Sequence, residues 1–389
     1  MSPAWPGEVG APIDVLVLLG CFARGNEATG PTQNMIGLAQ ALEGRFRFRI
    51  LAEAVDGDRP GRWQTVSGLE QMPFPGGLRG VAMLRQAINA TPHALLLTNG
   101  FFDRRFTLPM LLMRRAGMIR RGPTMVAPHG EFSAGALALG HRRKAWYLRA
   151  ARHLGLLEGV VLQATSADEA ERIRAILPAT EQVVTVPNVQ ALAPLPPASA
   201  PAVAQPLKLV FASRVDRMKN LDRALAIMAA TELPITFDIF GPVSDERYWA
   251  ECLRAIAQLP PRVRVTYHGI LPHAAIVPTL ARYHAMILPT RGENFGHAIA
   301  DALMAGTPAL ISDRTPWRKL AANKAGWDLP LDDEEAFVRA LRALAAMPAA
   351  ERSEWRTGAR RMAERMLDPR IAADQCAAAF HTALGRAVA

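Results

Sequence analysis

Two acids, two cations and a histidine stand where they could do chemistry in this chain of 389 residues. Glu293 and Asp301 are eight positions apart, in and just after the run Arg291-Gly292-Glu293-Asn294-Phe295-Gly296-His297. Arg214 and Lys219 are five apart in Ser213-Arg214-Val215-Asp216-Arg217-Met218-Lys219-Asn220, close enough to converge on one anion. His129 lies in Pro128-His129-Gly130-Glu131. Cations and the free N–H groups of a helix start hold phosphate, and carboxylates accept hydrogen bonds from hydroxyls attached to it. Each residue also has a plain reading: a solvated loop acid, a helix-surface charge, a solvated basic loop, a structural histidine.

Regular elements must position these groups. Residues 285–289 read as a short apolar strand and 309–312 as another, so Glu293 falls in a Gly-bounded loop and Asp301 on the helix after it. Gly306 suits the position just past that helix, and Pro308 the stop beyond it. In such βαβ units ligands bind at the carboxyl ends of the strands, against the helix N-terminus. The strand 207–212 delivers Arg214 and Lys219, and the helix after it carries Leu221, Ala224, Leu225 and Met228 on one face. Strands 235–240 and 263–267 end in Gly241-Pro242 and His268-Gly269, where Gly241 and Gly269 fit close backbone approach. A helix over 273–282 leads into the Glu293 unit, and Trp317 beyond it reads as a packing anchor. The end is helical over 332–346, 349–366 and 370–385.

Upstream, the strand 13–19 is followed by a loop with Gly25, Gly30 and Pro31 and a helix whose apolar face is Met35, Leu38, Ala39 and Leu42. Gly30 at that helix start suits an anion or a sugar; a βα turn without ligand accounts for it equally well. Strands 94–98 and 124–127 end in Asn99-Gly100 and at His129. Thr165-Ser166 with Glu169 form a capping box for a helix over 167–177. Alternating strands and helices predict an α/β fold with parallel, doubly wound sheets. The proline-rich stretch 194–206 reads as a linker, dividing a domain over 1–195 from one over 207–367, with 368–389 left as a terminal helix.

Composition narrows the partners. Hydrophobic residues make up 50%, and no run approaches the roughly 20 apolar residues of a spanning helix. A soluble chain is expected, and the acids Glu8 and Asp14 around the first apolar run argue against a signal peptide. Cys21, Cys252 and Cys376 make neither a metal pattern nor a disulfide framework, which points to a reduced, cytoplasmic setting. A net charge of +10 and a pI near 10.2 admit nucleic acid, an anionic membrane face or a phosphorylated substrate. With aromatics at 6% and no basic-aromatic interleaving, single-stranded nucleic acid is unsupported. The stretch 141–158 predicts an amphipathic helix with Tyr147, Leu148, Ala151 and Leu154 inward and Arg142, Arg149 and Arg152 outward, a solvated face or a membrane contact. Asp56-Gly57-Asp58 is formally an Asp-x-Asp pair, but beside Arg59-Pro60 it reads as a turn.

The Gly-Glu-Asn-Phe-Gly run, its helix and the second acid resemble the paired-acid signature of family four of the retaining glycosyltransferases. There the pattern is Glu, seven residues, Glu; Asp301 is one methylene shorter. The strand, loop and Lys219-Asn220-Leu221 are similar to the same family's diphosphate-binding segment. The resemblance implies the GT-B fold: two doubly wound Rossmann-like domains facing across a cleft, with the C-terminal helix returning to the N-terminal domain. It implies a catalytic set of Glu293, Arg214, Lys219 and His129. Glu293 would orient the donor sugar, the two cations bind the diphosphate, and His129 reach the sugar from the other domain. Asp301 would hold the ribose, with Asn294, Phe295, Gly296, His297, Gly241, Gly269 and Gly30 around the donor.

The implied reaction moves a hexose-type sugar from a nucleoside-diphosphate sugar to a glycan or lipid-linked acceptor. It needs neither metal nor cofactor, and the implied setting is polysaccharide or cell-surface glycan assembly, cytoplasmic or peripheral on the inner membrane face. Two other readings stand beside it. A sugar-nucleotide epimerase of the same architecture would turn over donor without acceptor, and a nucleic-acid-binding protein would show affinity falling steeply with salt.

Overall fold

The computed structural model describes residues 11–20, 22–23, 30–133, 136–137, 140–178, 182–189 and 206–387. The chain forms two compact units: unit 1 is Met1–Ala191 with Pro369–Ala389, and unit 2 is Leu192–Asp368. Of the expected linker only Pro206 lies among the described residues; Gly25 and Cys21 of the first loop also lie outside them.

Unit 1 is organised on an eight-stranded sheet. Its strands are Ile13–Leu18 (β1), Phe46–Glu53 (β2), Gln64–Val66 (β3), Leu69–Phe74 (β4), Leu95–Asn99 (β5), Thr124–Ala127 (β6), Val160–Ala164 (β7) and Val183–Thr185 (β8). They stand in the order β3-β4-β2-β1-β5-β6-β7-β8. All pairings are parallel except β3 with β4. A parallel sheet covered on both faces needs apolar residues on both, and β1 has them. Val15 and Val17 enter one core with Phe46, Phe48 and Met35; Leu16 and Leu18, pointing the other way, enter a second with Phe101 and Met110. β2 escaped the sequence reading. Its first charge is met across the sheet: Arg47 Nε donates to Asp14 Oδ1 at 2.6 Å, where the two residues are register partners.

The first of these cores is completed from the far end of the chain. The helix Pro369–Ala387 buries Ala373, Cys376, Ala377, Phe380 and Ala383, spaced three and four apart along one stripe. The Phe380 ring stands edge-on to Phe46 with centroids 5.3 Å apart. The described cysteines, Cys252 and Cys376, are free and buried.

Unit 2 carries Leu207–Ala212 (β9), Ile235–Phe240 (β10), Val263–Gly269 (β11), Ala285–Leu288 (β12), Ala309–Ser312 (β13) and Gly326–Leu329 (β14). They lie in the order β11-β10-β9-β12-β13-β14, all parallel. The chain winds outward from the central β9 to β11, then returns to β12 on the other side of β9. That reversal is the topological switch point, where doubly wound sheets open a crevice at their carboxyl edge. The expected class of two doubly wound, Rossmann-like domains is the observed one. A buried guanidinium fastens the helices of unit 2 from behind. Arg356 donates to the carbonyls of Ala281, Tyr283 and Ala305 just past the helices His273–Leu280 and His297–Met304. A cation suits those negative helix ends, although burial lowers its pKa to about 10.

The basic helix is shorter than expected. It spans His141–His153, and Leu154, assigned to the inward stripe, is instead 52% exposed because the helix has ended and Arg115 binds its carbonyl. Arg142, Arg149 and Arg152 face solvent as expected, joined by Trp146 at 70% exposure. The Asp56-Gly57-Asp58 segment is a turn: Asp58 accepts from the Val55 amide and from Gln64. Among the described residues no cluster of His, Cys, Asp or Glu is arranged to hold a metal ion.

Candidate active site

In unit 2 the loops after β9 and β12 meet because those strands are neighbours. Asn220 joins them. It adopts left-handed φ of 62° before the helix Leu221–Ala230, donates from Nδ2 to Pro289 O at 2.9 Å, and accepts from Arg291 Nε at 3.1 Å. Met218 O accepts from the Arg291 amide and the Thr290 hydroxyl. Residues 74 positions apart therefore come within bonding distance: Lys219 Nζ donates to both Glu293 oxygens, at 2.7 and 2.8 Å. The pair is well shielded, with side chains 14% and 8% exposed. Sequence reasoning gave the two residues separate roles, and the structure makes them one ion pair. Arg214, exposed, lies 3.4 Å from Asp216, whose other oxygen accepts from the Lys219 amide. Arg214 and Lys219 are therefore held on two different carboxylates, and Asp216, quoted in the sequence reading without a role, fixes the loop between them.

The far side of the Glu293 loop is held just as firmly. The Glu293 amide donates to Arg314 O, and the Ser312 hydroxyl to Thr290 O at 2.6 Å. Gly296 sits at φ 83° immediately before the helix His297–Met304. A Cβ there would lie 3.0 Å from Ile299 Cδ1 and 3.2 Å from Trp317 Nε1. Trp317 is fully buried and donates to Phe295 O at 2.6 Å, so the packing anchor also fixes the loop. The Phe295 and His297 rings lie 4.7 Å apart. Asp301 is on the second turn of the helix and 8% exposed, on its buried side rather than on a solvated surface. At the neighbouring strand end, Gly241 (φ 134°) donates its N–H to Gly269 O at 2.8 Å.

In unit 1, Gly30 opens the helix Gly30–Ala41 after β1. His129 follows β6 and sits at φ 48°, unusual for a residue with a Cβ. Its Nε2 is hydrogen-bonded to Asn99 Oδ1 at the end of the adjacent β5. Burial holds the imidazole pKa below its ordinary value, against a weaker upward pull from Glu169, so the ring is neutral at pH 7. Glu169 is the residue the sequence reading undervalued. Its amide does bond to Ser166 Oγ, as a capping box requires. Its fully buried carboxylate does more, accepting from Gly130 N at 2.5 Å and from the amide and hydroxyl of Thr165. It thereby locks the loop that carries His129. The signal was present as an acid three positions beyond the Ser166 cap; its second partner, 39 positions away, was not readable.

Two loops of unit 2 thus present cations, a shielded carboxylate and a helix start at a switch point, the equipment for gripping a phosphorylated, hydroxylated ligand. Solved structures share this architecture. Sucrose-phosphate synthase from Thermosynechococcus elongatus matches with a TM-score of 0.75 at 17% identity, over 95% of this chain and 98% of that one. HepE from Anabaena, solved with UDP-glucose, matches with a TM-score of 0.72 at 14% identity, over 95% and 100%. WaaG, a glycosyltransferase involved in lipopolysaccharide biosynthesis, matches with a TM-score of 0.65 at 14% identity, over 92% and 98%. At these identities the likeness is one of fold. No curated protein matches the sequence. Residues 198–362, the segment that carries Arg214, Lys219, Glu293 and Asp301, match the family described as Glycosyl transferases group 1.

Proposed function

We propose that the chain is a retaining glycosyltransferase of family four, taking a hexose-type sugar from a nucleoside-diphosphate sugar to a glycan or lipid-linked acceptor in polysaccharide or cell-surface glycan biosynthesis. The observation that carries this reading is the shielded Lys219–Glu293 pair at the switch point of unit 2, inside the segment that matches the family. As the glycosidic bond breaks, the diphosphate gains charge, and preorganised cations and N–H dipoles lower the barrier most when water is excluded. Lys219, Arg214 and the start of the helix His297–Met304 supply them. Glu293, whose orientation Lys219 fixes, accepts from hydroxyls of the donor sugar; Asp301 takes the ribose. His129, neutral, accepts or donates a hydrogen bond at the sugar without adding charge. The acceptor proton passes to a phosphate oxygen on the same face, so the reading asks for no protein base and no metal.

Thermal unfolding with UDP, GDP, ADP and CMP tests it. One nucleoside diphosphate is expected to stabilise the protein, by about 2.7 kcal/mol at a hundred times its dissociation constant. Arg214→Ala should remove most of that gain while leaving the unliganded protein as stable, because Arg214 is exposed. If no nucleotide stabilises the protein, the transferase reading fails.

The outer face of the helix His141–His153 supports peripheral contact with the cytoplasmic face of an anionic membrane. It has no acid, presents Arg142, Arg149 and Arg152, and adds the exposed ring of Trp146. The protein is expected to sediment with phosphatidylglycerol vesicles at low salt and less at high salt, and Trp146→Ser to reduce the bound fraction several-fold. Equal sedimentation with phosphatidylcholine, or none, refutes the contact.

A further inference from the structure

A second cluster of ionisable groups in unit 1 has no part in gripping a diphosphate. Glu131 lies beyond His129 at the carboxyl edge of the sheet. One of its oxygens, Oε2, accepts from the amides of Phe101 and Phe102, at 2.5 and 3.1 Å. The other, Oε1, takes no hydrogen bond among the described residues; it lies 3.7 Å from the point where a side chain on Gly100 would begin. Facing it from the helix His141–His153 is Lys144. Its ammonium donates to Ala136 O at 2.7 Å, stands 4.9 Å from the centre of the Phe102 ring, and forms no ion pair among the described residues. It feels the Glu131 charge without touching it. One turn along, Tyr147 packs edge-on against Phe101 and Phe102, with centroids 5.5 and 5.4 Å away, and its buried hydroxyl has no hydrogen-bond partner among the described residues.

A carboxylate oxygen without a hydrogen bond and an ammonium without an ion pair, both beside the Phe102 segment, are together complementary to a hydroxyl, which donates to the carboxylate and accepts from the ammonium. The half-buried Phe102 ring beside them offers an apolar face. A pyranose has both features, a rim of hydroxyls and faces of C–H groups. We propose that Glu131 Oε1, Lys144 Nζ and the Phe102 ring form a saccharide-binding subsite. This rests on the transferase reading in one respect, that the saccharide bound here is the acceptor of the reaction. Burial already holds the Glu131 carboxyl above its ordinary pKa, so a hydroxyl donating to Oε1 replaces water that the carboxylate has lost.

The test uses the full chain and a panel of methyl hexopyranosides, with binding read by saturation-transfer NMR and titration calorimetry. At least one is expected to bind, and Glu131→Gln and Lys144→Met should each weaken it about tenfold or more, the factor that one charge-assisted hydrogen bond carries. Glu131→Gln keeps an oxygen for the Phe101 and Phe102 amides, so its melting temperature should match that of the unaltered protein. If that variant unfolds, Lys144→Met, on the helix surface, decides alone. Stabilisation by a nucleoside diphosphate must persist in both variants. Glycoside binding unaffected by either change, or no glycoside bound by a protein that binds a nucleoside diphosphate, overturns the subsite. Loss of nucleotide binding in the unaltered protein would count against the transferase reading instead.

Discussion

Lys219→Met should cost about 3 kcal/mol of stability and roughly a thousandfold in transfer rate. The two losses have one origin. Glu293 is 8% exposed and both its oxygens point at the Lys219 ammonium. Removing the cation strands a carboxylate in a place with little water, and breaking a buried pair from one side is more damaging than removing both partners. On the transferase reading the rate should fall further, because the cation would also meet the charge that develops on the leaving diphosphate. Urea denaturation of Lys219→Met and of the double variant Lys219→Met/Glu293→Gln separates these effects. The double variant should regain most of the lost stability, Gln having no charge to bury, and none of the lost rate. A single variant as stable as the unaltered protein would mean that the pair is solvated, and one that still turns over would remove Lys219 from the mechanism.

The second large effect is expected from a methyl group. Gly241 has φ 134°, a region closed to other residues, and a Cβ there would stand 2.0 Å from Ser213 O. Gly241→Ala must therefore push apart the ends of β9 and β10, where Ser213 N bonds to Phe240 O and Val215 N to Pro242 O. A cost of about 3 kcal/mol or more is expected, in line with strained backbone combined with overpacking. The displaced segment carries Arg214, so nucleotide binding should weaken as well. Gly269→Ala is the control: it also has positive φ, 73°, but nothing lies within 4 Å of the added atom. Its cost should be only about 1 kcal/mol. Equal losses at the two positions would show that backbone conformation, and not the close approach to Ser213, makes Gly241 necessary.

The parts of the molecule that could be read from the chain are those whose cause is local. β9, β10 and β13 are short apolar runs bounded by turn residues, and they appear where the runs do, because strands buried on both faces carry little but apolar side chains. The strand, loop and helix around Glu293 were readable for the same reason, with Gly306 closing the helix at φ 69°. What could not be read depends on the order of strands in the sheets. Nothing near Lys219 in sequence indicates that its ammonium belongs to Glu293; only β9 lying beside β12 does so. Glu169 resembled an ordinary helix cap until the fold brought Gly130 to its free oxygen. β2 was missed because Arg47 and Arg49 look like the charges of a loop, whereas both stand beside Asp14 on the neighbouring strand.

The helix Pro369–Ala387 has a consequence for the order in which the protein can be made. Unit 2 is one unbroken segment, Leu192–Asp368, and can bury its core as soon as that segment is complete. Unit 1 is finished only by residues on the far side of unit 2, since Phe46 and Phe48 are covered by Phe380. At roughly ten residues per second of synthesis, the apolar face formed by Phe46, Phe48, Val15 and Val17 waits about thirty seconds for Phe380 to be made. The half of the molecule synthesised first is therefore the half whose core is completed last.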